Sequence, residues 1–182
     1  MEIILLVVIV VAAVVAMWRS LEKFAYRVPP RTGDESERQR VTVEYVIDGD
    51  TVNVSNFGSE MRIRLDSIDC PEDGQPWGTI AKAGLIKLIG GRDVYIEEHG
   101  IDDYGRTLAT IYLEGDIDSE WINVNERMVM LGHAWVMRQH YDHLPKSRQD
   151  QLNKLEKWAR SKRVGLWKTS NPIPPWQWRN QA

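Results

Sequence analysis

The chain has 182 residues, 23 Lys and Arg against 26 Asp and Glu, a net charge of -3 and one cysteine. A lone cysteine excludes an internal disulfide framework and a Cys-rich zinc site. A pI of 5.8 excludes a protein that coats nucleic acid through broad positive charge.

Residues 3–18 carry no polar side chain. As a helix they span roughly 24 Å, close to a hydrocarbon core of about 30 Å once Met1 and the residues after Trp18 are added. No Lys or Arg precedes the run and no Ala-x-Ala site follows it. Residues 1–18 are therefore read as a retained single-pass membrane anchor rather than a cleaved signal peptide, with membrane contact through residues 3–18. Arg19, Lys23, Arg27 and Arg31, with Trp18, Leu21 and Phe24 among the first of them, form a juxtamembrane collar. A charged linker with Pro29-Pro30 and Gly33 completes residues 19–40.

From Val41 onward the pattern is that of a folded body. Val41, Val43 and Tyr45 alternate with polar residues, as do Val52 and Val54, and then Met61, Ile63 and Leu65. Each has the period of a half-buried strand. The same alternation turns Arg64 away from the face of Ile63 and Leu65. The period changes at Ala81, Leu85, Leu88 and Ile89, a helical stripe closed by Gly90-Gly91. Strand-like segments at 94–97 and 107–113 follow. Trp121, Val124, Met128 and Leu131 predict a second helix ending at Gly132, and Leu152, Leu155 and Ala159 a third ending near Gly165. Five short strands with helices after the third and fifth do not alternate as parallel units would, so the class is α+β with a small closed antiparallel barrel. In the Pro-rich tail, residues 169–182, Trp176 and Trp178 are expected to pack against the body, with stacking on bases as the alternative.

Charge concentrates in three segments at strand ends: Asp48-Gly49-Asp50-Thr51, Arg64 through Glu72, and Asp102-Asp103-Tyr104-Gly105-Arg106. Taken singly, each has a plain explanation as a turn or a helix entry. Together, Asp50 and Asp69 with a neighbouring carbonyl make an oxygen-lined site for a hard divalent cation, and no paired His or Cys at ligand spacing points to zinc. Arg64 and Arg106 suit a two-pronged grip on phosphate oxygens. Glu72 remains as a spare carboxylate. A cation, two arginines and a general base are the parts that drive water onto a phosphodiester. His140 and His143 lack further partners in sequence and are read as a solvated loop.

The order Val46-Ile-Asp-Gly-Asp-Thr51, Ile63-Arg-Leu, Ile68-Asp-Cys-Pro-Glu72, Asp103-Tyr-Gly-Arg106, Gly132-His-Ala-Trp135 and Gly165-Leu-Trp167 resembles the staphylococcal (thermonuclease-like) nuclease family over residues 41–167. The resemblance implies a five-stranded OB-type β-barrel with three helices over residues 41–168, and calcium-dependent hydrolysis of DNA and RNA, single strands preferred. It implies Asp50, Asp69 and the backbone carbonyl of Cys70 as Ca2+ ligands, Asp48 as a nearby supporting acid, and Glu72 as the base that activates water. Arg64 and Arg106 would hold the phosphate, and Tyr104 and Tyr141 are the candidate substrate contacts. Products of the family carry a 3′-phosphate. The other reading is a non-catalytic OB-fold module that binds nucleic acid or protein.

Residues 97–120 hold eight acidic side chains and one basic one, Arg106, while residues 139–168 hold eight basic and three acidic. The basic stretch is read as an exposed helical face rather than a nucleic-acid track. Cations flanking the C-terminal side of the anchor favour a cytosolic body, whereas the resemblance favours an exported one, periplasmic or extracellular. Export is the expectation adopted here, with a monomeric body.

Overall fold

The structure, a computed structural model, describes residues 38–114 and 121–181. The anchor, the collar and nearly all of the linker lie outside the described residues. Among the described residues no helix is long and apolar enough to cross a membrane.

Strands β1 (Gln39–Val46), β2 (Thr51–Asn56), β3 (Ser59–Leu65), β5 (Asp93–Ile101) and β6 (Thr107–Glu114) form the barrel, in the order β3-β2-β1-β5-β6. β3 also pairs with β6, in parallel, so the sheet closes on itself. A short β7 (Trp121–Asn123) pairs antiparallel with the end of β6. Two-residue strands β4 (Ile68–Asp69) and β8 (Trp135–Val136) make a separate ribbon. The expected helices are α1 (Gly78–Ile89), α2 (Val124–Met130) and α3 (Lys146–Ser161), and a fourth, α4 (Pro175–Trp178), lies in the tail. Val43, Val52, Val54, Ile63, Leu65, Val94, Ile96 and Ile111 fill the barrel, each at most 1 % exposed. Closing the sheet leaves β3 and β6 without an open edge at their junction.

Two local expectations are corrected. The register of β1 on β2 shifts between Val43 and Tyr45. This bulge turns Tyr45 outward, 54 % exposed, and Val46 takes the inward place at 8 %. Strict alternation could not register the extra residue. The second helix starts at Val124 rather than at Trp121, because the Asn123 side chain accepts the Glu126 N–H at 3.0 Å and caps it. Trp121 instead stands edge-on to Tyr95 from β7, ring centroids 4.6 Å apart.

Buried polar groups join these pieces. Asn125 of α2 accepts the Ile111 N–H at 3.0 Å and donates to the carbonyls of Asp66 and Ala109 at 3.0 and 3.1 Å. One amide thereby ties α2 to β6 and to the turn after β3. Glu156 of α3, 2 % exposed, accepts the Val136 N–H at 3.0 Å and an Arg138 N–H at 2.6 Å. It fixes β8 and, through the β4–β8 pairing of Asp69 with Trp135, the strand that carries Asp69. Gly132 and Gly165 lie backbone to backbone, with φ of 66° and 60°, and the Leu166 N–H donates to Gly132 O at 2.9 Å. A Cβ on Gly165 would stand 2.2 Å from Gly132 O, so both positions require glycine. The tail then folds back as expected: Trp176 packs on the Trp135, Ala159, Leu166 and Trp167 cluster.

Replacing Glu156 with Ala leaves the Val136 amide and Arg138 without their acceptor. Urea unfolding should show a loss of about 1–3 kcal/mol, with a smaller loss for Glu156→Gln, which keeps an acceptor.

Candidate active site

The loop between β1 and β2 can enter the site only because Gly49 carries no side chain. A Cβ there would lie 2.6 Å from the Cys70 Cβ and 3.0 Å from the Ala81 Cβ. That close approach brings Asp48 and Asp50 against the end of β4. The Asp48 carboxylate accepts the Asp50 N–H at 2.9 Å, and the Asp50 carboxylate accepts the Cys70 N–H at 2.6 Å. The Cys70 thiol is buried, donates to Gly49 O at 3.1 Å, and is pushed up in pKa first by that burial. It is structural, not nucleophilic.

Arg64 leaves the barrel face as the alternation requires and stands between these carboxylates. Its Nε lies 3.1 Å from Asp50 Oδ1 and its Nη2 2.9 Å from Asp69 Oδ1. Its Nη1 donates to the carbonyls of Leu65 and Ile68, both at 2.9 Å. Three of the five guanidinium hydrogens are thus hydrogen-bonded within the protein while Nε is paired with Asp50, and one hydrogen on Nη2 remains for a substrate oxygen.

Glu72 sits on the loop leading to α1, where its N–H donates to Gln75 Oε1 at 2.9 Å. Arg106 lies across the cleft on the turn from β5 to β6. The Asp102 carboxylate shapes that turn, accepting the N–H of Tyr104 at 3.0 Å and of Arg106 at 2.9 Å and pairing with Arg106 Nε at 2.7 Å. Burial alone would raise the Asp102 pKa, but the Arg106 and Tyr104 donors outweigh it and hold it below the usual carboxylate range. Because the pair uses Nε, the Nη fork of Arg106 is left for an anion. Its guanidinium carbon lies 5.3 Å from the centroid of the exposed Tyr104 ring.

Asp48, Asp50, Arg64, Asp69, Cys70, Glu72, Tyr104 and Arg106 therefore line one cleft of about 920 Å³. Tyr141 is placed elsewhere, its hydroxyl accepting from Asn153 of α3 at 3.3 Å. Three of the eight cations of the basic stretch are engaged within the protein. Arg148 pairs with buried Glu126 at 3.0 Å, Lys146 with Asp150 at 3.0 Å, and Arg160 lies over Trp167 at 3.9 Å.

The acidic side of the cleft fits a hard cation. Asp50 is 6 % exposed. Its burial first, then Asp48 and Asp69, raise its pKa to about 7 against the pull of Arg64 and the Cys70 amide. The donors are oxygens held in a negatively charged, partly desolvated cluster, which suits calcium better than zinc.

Two features of the cleft were not legible in the sequence. Arg179, from the tail, donates from Nη2 to Asp69 Oδ2 at 2.9 Å and from Nη1 to Asp69 Oδ1 at 3.3 Å, and also pairs with Glu72. Its only sequence signal was a cation closing a Pro- and Trp-rich segment. On another wall, His143 lies exposed in its loop as expected but also has partners. Its Nε2 lies 2.9 Å from Asp66 Oδ2, its ring centroid is 5.0 Å from that of His99, and His99 bonds Thr110 Oγ1 at 2.8 Å. Asp66, His99 and His143 bring donor atoms within 4.8 Å of one another, a nitrogen-bearing set unlike the calcium-type cluster. No sequence spacing could reveal it, since residues 66, 99 and 143 come from three separate segments.

A family model described as staphylococcal nuclease homologue matches residues 62–169. The chain is 37% identical to Protein ParB of Escherichia coli over 146 residues, covering 79% of this chain and 80% of that one. It is 36% identical to a micrococcal nuclease of Shigella flexneri, covering 79% and 82%. A protein named uncharacterized endonuclease, of Escherichia coli, is 35% identical over 75% of this chain and 82% of its own.

The raised Asp50 pKa has a definite sign in stability. The folded state binds this proton more tightly than an unfolded chain with the ordinary value of 3.8. Its contribution is present in full below that value and is lost as pH rises toward about 7. Without metal, stability measured from pH 4 to 8 should carry this falling component, and Asp50→Asn should flatten it.

Proposed function

The chain is a nuclease belonging to the staphylococcal nuclease family, and from that premise we propose a membrane-tethered, calcium-dependent phosphodiesterase that cuts DNA and RNA and leaves 3′-phosphate ends. One observation supports this reading above the others: Asp50, Arg64, Asp69, Glu72 and Arg106, from three separate segments, line one cleft.

Asp50, Asp69 and the Cys70 carbonyl would hold the cation, with Asp48 fixing the loop that carries Asp50. A bound calcium ion supplies positive charge beside the phosphoryl oxygens. The Nη fork of Arg106 and the remaining Nη2 hydrogen of Arg64 grip the same phosphate and stabilise the charge that grows as phosphorus becomes five-coordinate. Glu72 takes a proton from the attacking water as the new P–O bond forms. The bond from phosphorus to the 5′ oxygen breaks with its electron pair on that oxygen, which is protonated from solvent. The phosphate stays on the 3′ oxygen. Tyr104, exposed at the cleft rim, offers a ring to an unpaired base, and an unstacked strand presents its bases most readily. Tyr141 remains a candidate contact for substrate reaching toward α3.

With a net charge of -3, the chain as a whole offers little attraction to the polyanion. Binding of single-stranded DNA should be weak and should weaken further as salt rises. A binding constant that does not change with salt would count against this.

The deciding assay is digestion of a single-stranded oligonucleotide by the full chain in detergent. Cleavage should require calcium and disappear in chelator. Glu72→Gln should lose about 10²–10⁴-fold and Arg106→Lys about 10²–10³-fold in rate. Binding without cleavage under every condition would favour the non-catalytic module instead.

The tether through residues 3–18 and an exported body belong to the same reading. Protease added to intact cells should digest the body, and protection of the body would place it in the cytosol.

A further inference from the structure

The tail lies beyond the matched residues 62–169, yet it is joined to the cleft at several points. Gln75, 5 % exposed, receives the Glu72 N–H on Oε1 and donates from Nε2 to Ile173 O at 2.7 Å. One side chain thus couples the Glu72 loop to the tail. Two residues further on, Pro175 is buried, and Trp176 faces Trp135 with ring centroids 6.5 Å apart. α4 then delivers Arg179, which holds both oxygens of Asp69 and reaches Glu72 as well. Arg64 approaches Asp69 at 2.9 Å from its other partners, so that carboxylate is clamped between two guanidinium groups.

We infer that the C-terminal tail is a working part of the active site, and that Arg179, braced against Asp69, is a positioning residue that fixes Glu72 for the attack of water on the phosphodiester. This rests on the nuclease reading above. A planar, permanently charged guanidinium that bridges two carboxylates sets their spacing and orientation more firmly than a mobile ammonium could. A catalytic carboxylate on a loop otherwise loses rate through misplacement.

The same contacts could be imagined as a plug that must leave before a cation enters. The anchoring argues otherwise. Releasing Arg179 as a flap would break the Gln75 link and uncover Pro175 and Trp176, whereas a removable plug needs a weakly held stem. Asp69 also keeps its second cation, Arg64, whether or not Arg179 is present.

The test uses the full chain in detergent, with Arg179→Gln, Arg179→Lys, Glu72→Gln and the double variant Arg179→Gln/Glu72→Gln. Arg179→Gln should lower kcat about 10–100-fold while KM for single-stranded DNA changes less than about threefold, and Arg179→Lys should recover part of the loss. The double variant should be no slower than Glu72→Gln alone, since Arg179 acts through Glu72. Calcium affinity by calorimetry should stay within about threefold of wild type, because Asp69 loses the Arg179 contact but keeps Arg64 at 2.9 Å, and Asp50 and Arg64 are unchanged. A faster Arg179→Gln enzyme with calcium bound tenfold or more tighter would make the tail a plug and overturn the proposal. An unchanged kcat would reduce the contact to a surface ion pair. Additive losses in the double variant would show that the tail acts through general stability. The calorimetry reads the cleft without turnover. A wild type that binds calcium but never cleaves sinks the nuclease reading, and with it the assigned role of Arg179, while the calcium affinities still decide between clamp and plug.

Discussion

The guanidinium of Arg64 is the constraint on which the cleft depends. Its side chain is 13% exposed, and its donors reach Asp50, Asp69 and the carbonyls of Leu65 and Ile68. Those partners come from the β1–β2 loop, β4 and the turn after β3, so one planar cation sets the mutual placement of three backbone segments. The planar fork, engaged at several corners at once, makes such placement rigid, and low local dielectric makes it costly to break. The acids around it gain orientation but not full neutralisation, and burial, with Asp48 and Asp69 nearby, makes Asp50 resist ionising. A cluster optimised for stability alone would have fewer carboxylates. This one holds its excess negative charge where a cation and a phosphate would need to meet.

The supports for that arrangement lie well outside the cleft. Glu156 on α3 grips β8, and β8 pairs with β4, so helix packing reaches Asp69 through two strands of two residues each. Asn125 does the same for the turn that carries Asp66, at the seam where β3 meets β6. The contact of Gly132 with Gly165 closes the other side, holding the segment before β8 against the turn after α3. Each is a polar or backbone contact in a buried setting, where a small displacement leaves an unsatisfied group. The barrel supplies the apolar mass, and these few contacts decide where the charged residues end up.

The sequence made the barrel strands and the three main helices legible because their side chains alternate or recur at helical spacing. Arg64 was placed correctly by the same rule, between inward Ile63 and Leu65. Tyr45 was not, since a bulge changes the phase of a strand without leaving a mark in an apolar-polar pattern. Trp121 was absorbed into a helix because its spacing to Val124 suits one, although Asn123 and Glu126 already carried the cap signature. In the cleft, the residues within short motifs were legible, and those joined only by the fold were not. Asp66, His99 and His143 were invisible as a group, as was the bond between Arg179 and Glu72. Contacts across such separations follow from topology, and topology was inferred only as a class.

The sequence separation of 107 from Glu72 to Arg179 also sets an order of events. During synthesis the chain emerges from its N-terminal side, so Asp50, Arg64, Asp69 and Glu72 are exposed to the surroundings long before residue 179 exists. Until then the Glu72 loop has no strap, and Gln75 has no Ile173 carbonyl to hold. Completion of the carboxylate set is deferred to the last-made part of the described chain, a delay that comes from chain topology and requires no inhibitor.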